Sequence, residues 1–404
     1  MIGDYFRLAV DSIRHRQLRS WLTILGIVIG ISLVVTMISL GEGMKGAVSQ
    51  QLSRFGPDTL VVFPGKEANL FSGFFGGLHL EDDDVDVVKN TKGVDIAFPV
   101  LIKTIRIEFG DKDKQTLLHG LPSKESEKFL KDFQGWELAD GRWFRDKSNE
   151  IVIGFKLAKE GFKEDDKGKE IRLNQKVEID GEKFTVVGII ASLGEREHDF
   201  AGYISLDKLR DIIGSSEKEV TNIDIKAAPG VDPNEVAERI KKNLKRSRDA
   251  EDFAVLTSER MGNIAGNIIA VIEVVLLGLA VIALVVGGIG IMNTMYTGVL
   301  ERTKEIGVMK AIGARNRDIG LIFLMEAGII GLVGGSIGLA IGVSIAKIVE
   351  FIAHQNGLSL LSAYINIWLI LFGLGFSFVI GCIAGILPAM QASKLKPVDA
   401  VRYE

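Results

Sequence analysis

Two clusters of acidic and histidine side chains contain the residue types in this sequence that bind metal ions in other proteins. They are the run Glu81-Asp82-Asp83-Asp84 with Asp86, and the group Glu195, Glu197, His198 and Asp199. The acidic run lacks the glycine and the ligand spacing of a calcium-binding loop, and acidic residues near a helix start offset the helix dipole. We interpret the run as a solvated helix start and the group as a polar surface loop, with metal binding as the alternative.

Motifs for catalysis or nucleotide binding are missing from the rest of the sequence. The other histidines, His15, His79, His119 and His354, are scattered and form no His-Glu-x-x-His motif. A phosphate-binding loop of the form G-x-x-x-x-G-K-[ST] does not occur, because Gly65-Lys66 and Gly168-Lys169 have other neighbours. We therefore expect no catalytic residue, no metal site, no cofactor and no ATP hydrolysis in this chain.

Hydrophobic and charged residues are separated into blocks along the chain. Of the 404 residues, 47% are hydrophobic and 25% are charged, and segment 41–267 is acidic while the remainder is slightly basic. The net charge of −4 gives no argument for a nucleic acid partner. Cys382 is the only cysteine, so no disulfide forms within the chain. This block pattern indicates membrane segments beside a water-soluble domain.

Four apolar segments are long enough to cross a bilayer, which requires about 20 helical residues. They are Trp21–Leu40, Ile268–Leu300, Ile319–Val349 and Ile365–Met390. Their only charged residues are Glu273, Glu326 and Lys347. The first segment is too long for a signal peptide and lacks a cleavage pattern. We place retained transmembrane helices at 21–40, 268–297, 319–350 and 365–388.

Positive charges flank these segments on one side, which predicts the cytoplasmic side. The charged residues are Arg7, Arg14, Arg16, Arg19, Arg302, Lys304, Lys310, Arg315, Arg317, Lys394, Lys396 and Arg402. The loop 351–364 has neither Lys nor Arg. We expect a multi-pass protein of the cell membrane with both termini (1–20 and 389–404) and loop 298–318 in the cytoplasm. Segments 41–267 and 351–364 would then lie outside.

Segment 41–267 has the pattern of a mixed α/β domain. Apolar alternation predicts strands at Thr59–Phe63, Lys103–Phe109, Glu150–Ile153, Ile171–Leu173, Lys176–Ile179 and Phe184–Ile190. The dipeptide Asp180-Gly181 favours a hairpin between the last two strands. Helical patterns cover Ser123–Phe133 and Asp232–Leu244, and the stretches Gly43–Phe55 and Thr257–Ile268 extend the first two spans as a stalk.

Glycines recur at helical spacing in the first and third spans. The pairs are Gly26/Gly30, Gly331/Gly335, Gly334/Gly338 and Gly338/Gly342. Small residues four apart let helix backbones approach closely in lipid. Packing within one subunit and packing between two subunits both fit this pattern.

The cytoplasmic loop contains a short stretch with helical periodicity and mixed charge. Helical spacing places Arg302, Ile306 and Met309 on one face, with Glu301, Lys304 and Glu305 on a neighbouring strip. Such a helix suits docking into a groove of a soluble protein. The alternative is an interfacial helix that contacts only lipid headgroups.

This loop resembles the signature of the MacB/FtsX-type ABC transporter permeases, a version of E-R-T-x-E-I-G-x-x-x-A-I-G-A. The matching residues are Glu301, Arg302, Thr303, Lys304, Glu305, Ile306, Gly307, Val308, Met309, Lys310, Ala311, Ile312, Gly313 and Ala314. Three further regions are similar to the family: Arg19–Gly30 at the first span, Gly141–Gly188, and the tail from Pro388 to Glu404. The resemblance runs in order along nearly the whole chain.

The resemblance implies an α-helical membrane protein with four transmembrane helices plus a large mixed α/β extracytoplasmic domain of two lobes on a helical stalk. Segment 41–267 would be a MacB-like periplasmic core domain, and residues of about 120–200 would form an inserted, strand-rich lobe. Residues 298–318 would form the coupling loop, in which Glu301–Ala314 contact an ATPase.

The resemblance also implies a permease subunit that works as a dimer, by default a homodimer, within membrane lipid. Two copies of a separate ATP-binding subunit would bind ATP and magnesium in the cytoplasm and drive the extracytoplasmic domain. The cargo would be a peptide, a lipoprotein or an amphiphile. The alternative is an FtsX-like regulator that transmits force to an external cell-wall enzyme. A membrane-anchored enzyme is disfavoured because no nucleophile, base or metal set converges.

The orientation can be tested with a reporter enzyme that is active only outside the cytoplasm. We expect a reporter fused near residue 310 to be inactive, because the positive charges around that position hold the loop on the cytoplasmic side. The same reporter fused near residue 110 is the active control. Activity at position 310 would contradict the topology.

Overall fold

The computed structural model describes residues 17–66, 78–133, 135–163, 170–214, 218–356 and 360–396, and it divides into two compact units. The helical unit comprises Met1–Lys45, Asn267–Ile352 and Leu361–Glu404, and the α/β unit comprises Gly46–Gly266 and Ala353–Leu360. His15, Gly168-Lys169 and parts of both predicted terminal segments, residues 1–16 and 397–404, lie outside the described residues.

The described helices are α1 (Gln17–Phe55), α2 (Asp82–Lys89), α3 (Ser123–Lys128), α4 (Phe155–Lys159), α5 (Arg196–Asp199), α6 (Leu206–Ile213), α7 (Pro233–Arg248), α8 (Ser258–Glu301), α9 (Thr303–Ala311), α10 (Asn316–Gln355) and α11 (Ile367–Lys394). The described strands are β1 (Thr59–Pro64), β2 (Leu80–Glu81), β3 (Val94–Phe109), β4 (Lys112–Leu121), β5 (Leu138–Gly141), β6 (Glu150–Ile153), β7 (Lys176–Ile179), β8 (Glu182–Ile190), β9 (Gly202–Ser205), β10 (Glu219–Val220), β11 (Asn222–Ala227) and β12 (Phe253–Thr257). A π-helical turn, Phe129–Phe133, follows α3.

Helices α1, α8, α10 and α11 are long and apolar enough to cross a membrane. They contain the four segments in which the sequence predicts spans. A helix satisfies its own backbone hydrogen bonds, which is what a segment inside hydrocarbon requires. The structure therefore confirms four candidate membrane helices.

The core of the helical unit forms where α1 packs against its neighbours. Ile27, Ile31 and Val35 of α1 are completely buried and belong to one cluster with residues of α8, α9, α10 and α11. Helix α8 is the least covered of the four long helices, and side chains such as Val271 and Val274 are about two-thirds exposed (66% and 68%). An exposed apolar face of this kind suits contact with lipid.

The predicted glycine pairs lie at helix contacts within one chain. A Cβ added at Gly26 would lie 2.5 Å from the Cα of Gly287, so α1 and α8 touch through their backbones. Gly338 faces the backbone of Val28 in α1. Gly331 faces Gly381 in α11, where an added Cβ would lie 3.0 Å from the Cα of Gly381. The glycines thus provide packing within the subunit, which was one of the two interpretations of the sequence.

The α/β unit is built on a ten-stranded sheet, and β2 and β10 pair separately. The sheet order is β12-β1-β11-β3-β4-β9-β6-β8-β5, with β7 beside β3 and β8. Strand β3 is 16 residues long; its first part pairs with β11 and its second part with β4. It therefore joins the two halves of the sheet.

Separate hydrophobic clusters lie on the two halves. Helices α2 and α7 cover the half that contains β1 and β11, where Val88, Ile223 and Ile240 are completely buried. Residues from β4, β6, β8 and β9 form two further clusters, with Leu118 and Phe144 among the buried side chains. Each half of the sheet has its own apolar packing.

Local sequence signals explain several element boundaries. Asp180 and Gly181 have φ values of 49° and 81°, and Ile179 pairs with Glu182 across the turn, as expected for a type I′ hairpin. Asp232 caps α7, because its Oδ1 accepts a hydrogen bond from the backbone N of Asn234 (2.9 Å). Both signals were read correctly from the sequence.

The predicted strand Ile171–Leu173 is wrong. The structure has irregular backbone and a turn there, and Asn174 adopts a left-handed conformation with φ of 63°. Ile171 is buried and its backbone N donates to the carbonyl of Ala158 (2.9 Å). The apolar residues of this segment therefore contribute to a hydrophobic core although they lie in a loop.

We expect Gly381→Ala to destabilise the helical unit by about 1–3 kcal/mol, because the new methyl group overpacks a backbone contact. The added Cβ would lie 2.5 Å from the carbonyl oxygen of Ala327. Gly375→Ala in the same helix is the matched control, since no atom lies within 4 Å of its added Cβ. Thermal unfolding in one detergent measures both variants. Equal melting temperatures would contradict the close α10–α11 contact.

Candidate functional site

Helix α9 is a short element between two long helices of the helical unit. The backbone breaks at Arg302, where φ is −103° and ψ is 15°, and α9 begins at Thr303. The helix is followed by Gly313, whose φ of 108° suits glycine alone. The backbone N of Ala314 donates to the carbonyl of Met309 (3.0 Å). Residues Thr303–Ala311 of the Glu301–Ala314 signature therefore form a separate helix with defined ends.

One face of α9 is part of the core of the helical unit. Ile306 is completely buried, Thr303 is 7% exposed, and Met309 packs against the same cluster. The Thr303 hydroxyl donates to the carbonyls of Val299 (3.1 Å) and Leu300 (2.8 Å). This face fixes the rotation of α9 about its axis.

An ion pair holds the N-terminal end of α9 to α10. Arg302 Nη1 lies 3.2 Å from Glu326 Oε2, and the two side chains are 27% and 13% exposed. Glu326 lies within the predicted third span, where a carboxylate is rare unless it has a partner. The pair therefore gives a physical reason for an acidic residue in that helix.

A lysine holds the other end of α9 to α11. Lys310 Nζ donates to the backbone carbonyls of Ser393 (2.6 Å) and Leu395 (2.7 Å). These carbonyls lie at the C-terminal end of α11, where a cation also interacts favourably with the helix dipole. We refer to this contact and the Arg302–Glu326 pair as the two anchors of α9.

The opposite side of α9 is exposed and partly apolar. Val308 is 53% exposed and Ile312 is 82% exposed. Lys304 and Glu305 are exposed beside them. We refer to Lys304, Glu305, Val308 and Ile312 as the exposed face of α9. Apolar side chains held on a fixed helix provide a surface for a protein contact.

The acidic run at residues 81–86 is structural in this fold. The Asp82 carboxylate receives two hydrogen bonds from Arg210 (2.9 and 2.7 Å), and the buried Asp84 pairs with Arg248. The backbone N of Glu81 donates to Asp84 Oδ2 (2.8 Å), which closes a capping box. The solvated interpretation is wrong for Asp84, because its carboxylate is buried and pairs with Arg248.

The second acidic group also has internal partners. Asp199 is 1% exposed and accepts hydrogen bonds from Ser192 Oγ and the backbone N of Leu193, both at 2.8 Å. His198 Nδ1 lies 3.0 Å from the Tyr203 hydroxyl. The surface-loop interpretation is therefore wrong for Asp199. Among the described residues, no group of three or more His, Cys, Asp or Glu could hold a metal ion.

His119 is a core residue of the α/β unit. Its ring stacks on Tyr203 with centroids 5.0 Å apart. Burial, with a smaller contribution from His198, lowers the pKa of His119 to about 3, so the ring is neutral near pH 7. It is a packing residue.

Two family models match the chain. The MacB-like periplasmic core domain matches residues 20–243, and the FtsX-like permease C-terminal domain matches residues 277–397. Together with the four apolar helices, these matches define a multi-pass membrane protein with a MacB-like periplasmic domain.

Full-length relatives agree with the domain matches. An uncharacterized ABC transporter permease of Methanocaldococcus jannaschii, MJ1507, is 34% identical over 100% of this chain and 98% of its own length. The macrolide export ATP-binding/permease protein MacB of Wolinella succinogenes is 30% identical over 99% of this chain, which spans only 61% of that protein. The chain belongs to the MacB/FtsX-type ABC transporter permease family, whose members act with ABC ATPase partners in general.

Solved structures of extracytoplasmic domains are also similar to part of the chain. The periplasmic region of MacB from Actinobacillus actinomycetemcomitans is 17% identical, covers 55% of this chain and 98% of that structure, and has a TM-score of 0.44. The extracellular domain of the ABC-type transporter YknZ covers 49% of this chain and 100% of that structure, with 17% identity and a TM-score of 0.38.

We expect Arg302→Glu to destabilise the helical unit by about 1–3 kcal/mol, because it leaves Glu326 facing a like charge in a poorly hydrated site. The exchange Arg302→Glu with Glu326→Arg should recover part of that loss. Unfolding of the four proteins of this double-mutant cycle in one detergent measures the coupling. Lys347→Glu is the control, since its ion pair with Glu350 is 56% exposed at the lysine. Additive effects would contradict the anchor.

Proposed function

We propose that this chain is the membrane subunit of an ATP-driven transporter and that α9 docks on the cytoplasmic ATPase. The observation that supports this proposal is the exposed face of α9, where Ile312 is 82% exposed although both ends of the helix are anchored. A fixed helix with an apolar outer side suits a groove of a soluble protein. Contact with lipid headgroups alone would not require two anchors.

The proposed orientation places α9 in the cytoplasm. Lys304, Lys310, Arg315 and Arg317 lie in or directly after α9, and positive residues are enriched in cytoplasmic loops. The loop 351–364, between α10 and α11, has no lysine or arginine. This difference supports a cytoplasmic α9 and cytoplasmic termini.

In the proposed complex, ATP and magnesium are bound by a separate ATPase subunit, which is present in two copies. The relatives MJ1507 of M. jannaschii and YknZ of Bacillus subtilis, which match over 98% and 99% of their length, are named ABC transporter permeases. The longer MacB proteins are named ATP-binding/permease proteins. A homodimer of this chain is the simplest assembly, because most soluble oligomers are symmetric.

Force would pass from the ATPase through the two anchors into α10 and α11. Ile306 and Met309 add an apolar contact with the core of the helical unit. A displacement of α9 would therefore transmit force to several long helices at once. Helices α1 and α8 extend past the predicted spans, to Phe55 and from Ser258, and would serve as the stalk of a two-lobed extracytoplasmic domain.

The cargo class we favour is a peptide, a lipoprotein or an amphiphile handled outside the membrane. The match to the MacB-like periplasmic core domain over residues 20–243 supports this choice. The alternative is an FtsX-like regulator of an external cell-wall enzyme, which the match over residues 277–397 keeps open. The transporter and the regulator are distinguished by whether cargo or a cell-wall hydrolase stimulates ATP hydrolysis by the purified complex.

We expect Ile312→Asp and Glu305→Arg each to weaken association with the ATPase about tenfold or more, since the docking contact would lose apolar burial or charge complementarity. Function should fall while membrane insertion is unchanged. Affinity is measured by co-purification and by titration of the ATPase subunit onto nanodisc-embedded permease. Glu127→Arg, an exposed charge reversal in α3, is the matched control. Unchanged association would remove α9 from the mechanism.

A further inference from the structure

We propose that Lys114 and Arg196 bind the phosphate group of an anionic phospholipid headgroup beside the C-terminal end of α10. Lys114 lies on β4, and Arg196 is the first residue of α5. Both residues belong to the α/β unit, so this site is independent of the docking of α9.

The two cations share one aromatic ring. Lys114 Nζ lies 4.4 Å from the centroid of the Phe200 ring, and Arg196 Cζ lies 5.4 Å from it. Cations are attracted to the face of such a ring. The backbone N of Phe200 donates to the carbonyl of Arg196 (3.1 Å), and the Phe200 carbonyl accepts a hydrogen bond from the Thr116 hydroxyl. The fold therefore holds two positive charges around one fixed side chain.

These two charges have no ion-pair partner. Neither Lys114 nor Arg196 forms an ion pair with an acidic residue in the part of the chain that the structure describes. Burial, and then the charge of Arg196, lowers the pKa of Lys114, and Glu160 raises it by a smaller amount. The two cations therefore repel each other at a half-buried position. An anion bound to both would offset that repulsion.

The cation pair is accessible from solvent. Arg196 is exposed and Lys114 is half-buried. Of the acidic residues close to Arg196 in sequence, Asp199 is buried with its own donors, and Glu195 accepts a hydrogen bond from α1. Glu197 is exposed and forms no ion pair with either cation. An external anion can therefore reach both positive charges.

Arg196 also contacts the residue that follows α10. Its Nη1 donates to the carbonyl of Asn356 (3.4 Å) and to Asn356 Oδ1 (3.5 Å). The last turns of α10 carry exposed apolar side chains, Phe351 (63%) and Ile352 (52%). Four residues separate Ile352 from Asn356, about 6 Å along a helix, and the headgroup layer is about 5–8 Å thick on each side. When α10 crosses the membrane, Arg196 therefore lies at the depth of the headgroups.

The chemistry of the pair suits a phosphate group. A guanidinium binds two phosphate oxygens in a fork, and an ammonium adds a point charge. A soluble phosphate would offer the same oxygens, but the position beside the lipid-facing end of α10 favours a phosphate that is held in the membrane. Its binding would attach this part of the α/β unit to the membrane surface. The attachment would then depend on the content of anionic lipid.

The test measures phosphatidylglycerol binding by the full-length chain in detergent, using native mass spectrometry. We expect Arg196→Gln and Lys114→Gln each to weaken binding about tenfold, because each removes a charge-assisted hydrogen bond. Arg196→Lys keeps the charge and should lose less. Lys242→Gln removes an exposed lysine of α7 and is the matched control, with no expected change. Melting temperatures show whether each variant is folded, and the two glutamine variants lie on different elements.

Hydrogen exchange in nanodiscs locates the site. Phosphatidylglycerol should slow exchange at residues 196–200 in wild type but not in the glutamine variants, and added salt should reduce this effect. Three results would overturn the proposal. Equal lipid binding by wild type and both glutamine variants would place the site elsewhere. An equal loss in Lys242→Gln would show general attraction to an anionic surface. The same protection by inorganic phosphate in neutral phosphatidylcholine nanodiscs would assign the pair to a soluble anion.

Discussion

Close contact between helix backbones is the constraint on which the helical unit depends. In lipid, apolar side chains gain little by leaving the solvent, so helix association relies on tight packing. Gly26 against Gly287 and Gly331 against Gly381 allow that packing, because any side chain would separate the helices. Helix α1 contacts α8 and α10 through such positions. The placement of α9 follows, since its buried face packs into the core these contacts create.

Two polar contacts also fix the position of α9, which glycine packing alone does not determine. Glu326 has a cationic partner in Arg302, and the carbonyls at the end of α11 have one in Lys310. Each contact gives a charged or hydrogen-bonding partner to a polar group within a span or at a helix end. The same two contacts join α9 to two long helices. Stability of the bundle and the proposed transmission of force would therefore use the same residues.

Sequence reasoning located the long helices, the α9 signature and the Asp180-Gly181 hairpin because each has a local signal. It did not predict the strands that are buried on both faces, because their residues do not alternate between apolar and polar. Residues 96–101 of β3 are buried on both faces, as are all five residues of β12, and such strands lack a period of two. The anchors were also missed. Lys310 meets its acceptors 83 and 85 residues further along the chain, which no local pattern encodes.

The end of β12 is connected to both helices that enter the α/β unit. Strand β12 ends at Thr257 and α8 begins at Ser258, whose hydroxyl donates to the carbonyls of Gly56 (2.9 Å) and Thr59 (3.2 Å). These acceptors lie in the turn after α1 and at the start of β1. One buried serine therefore joins the start of α8 to the turn after α1 and to β1, so the same hydrogen bonds fix the ends of both helices within the α/β unit.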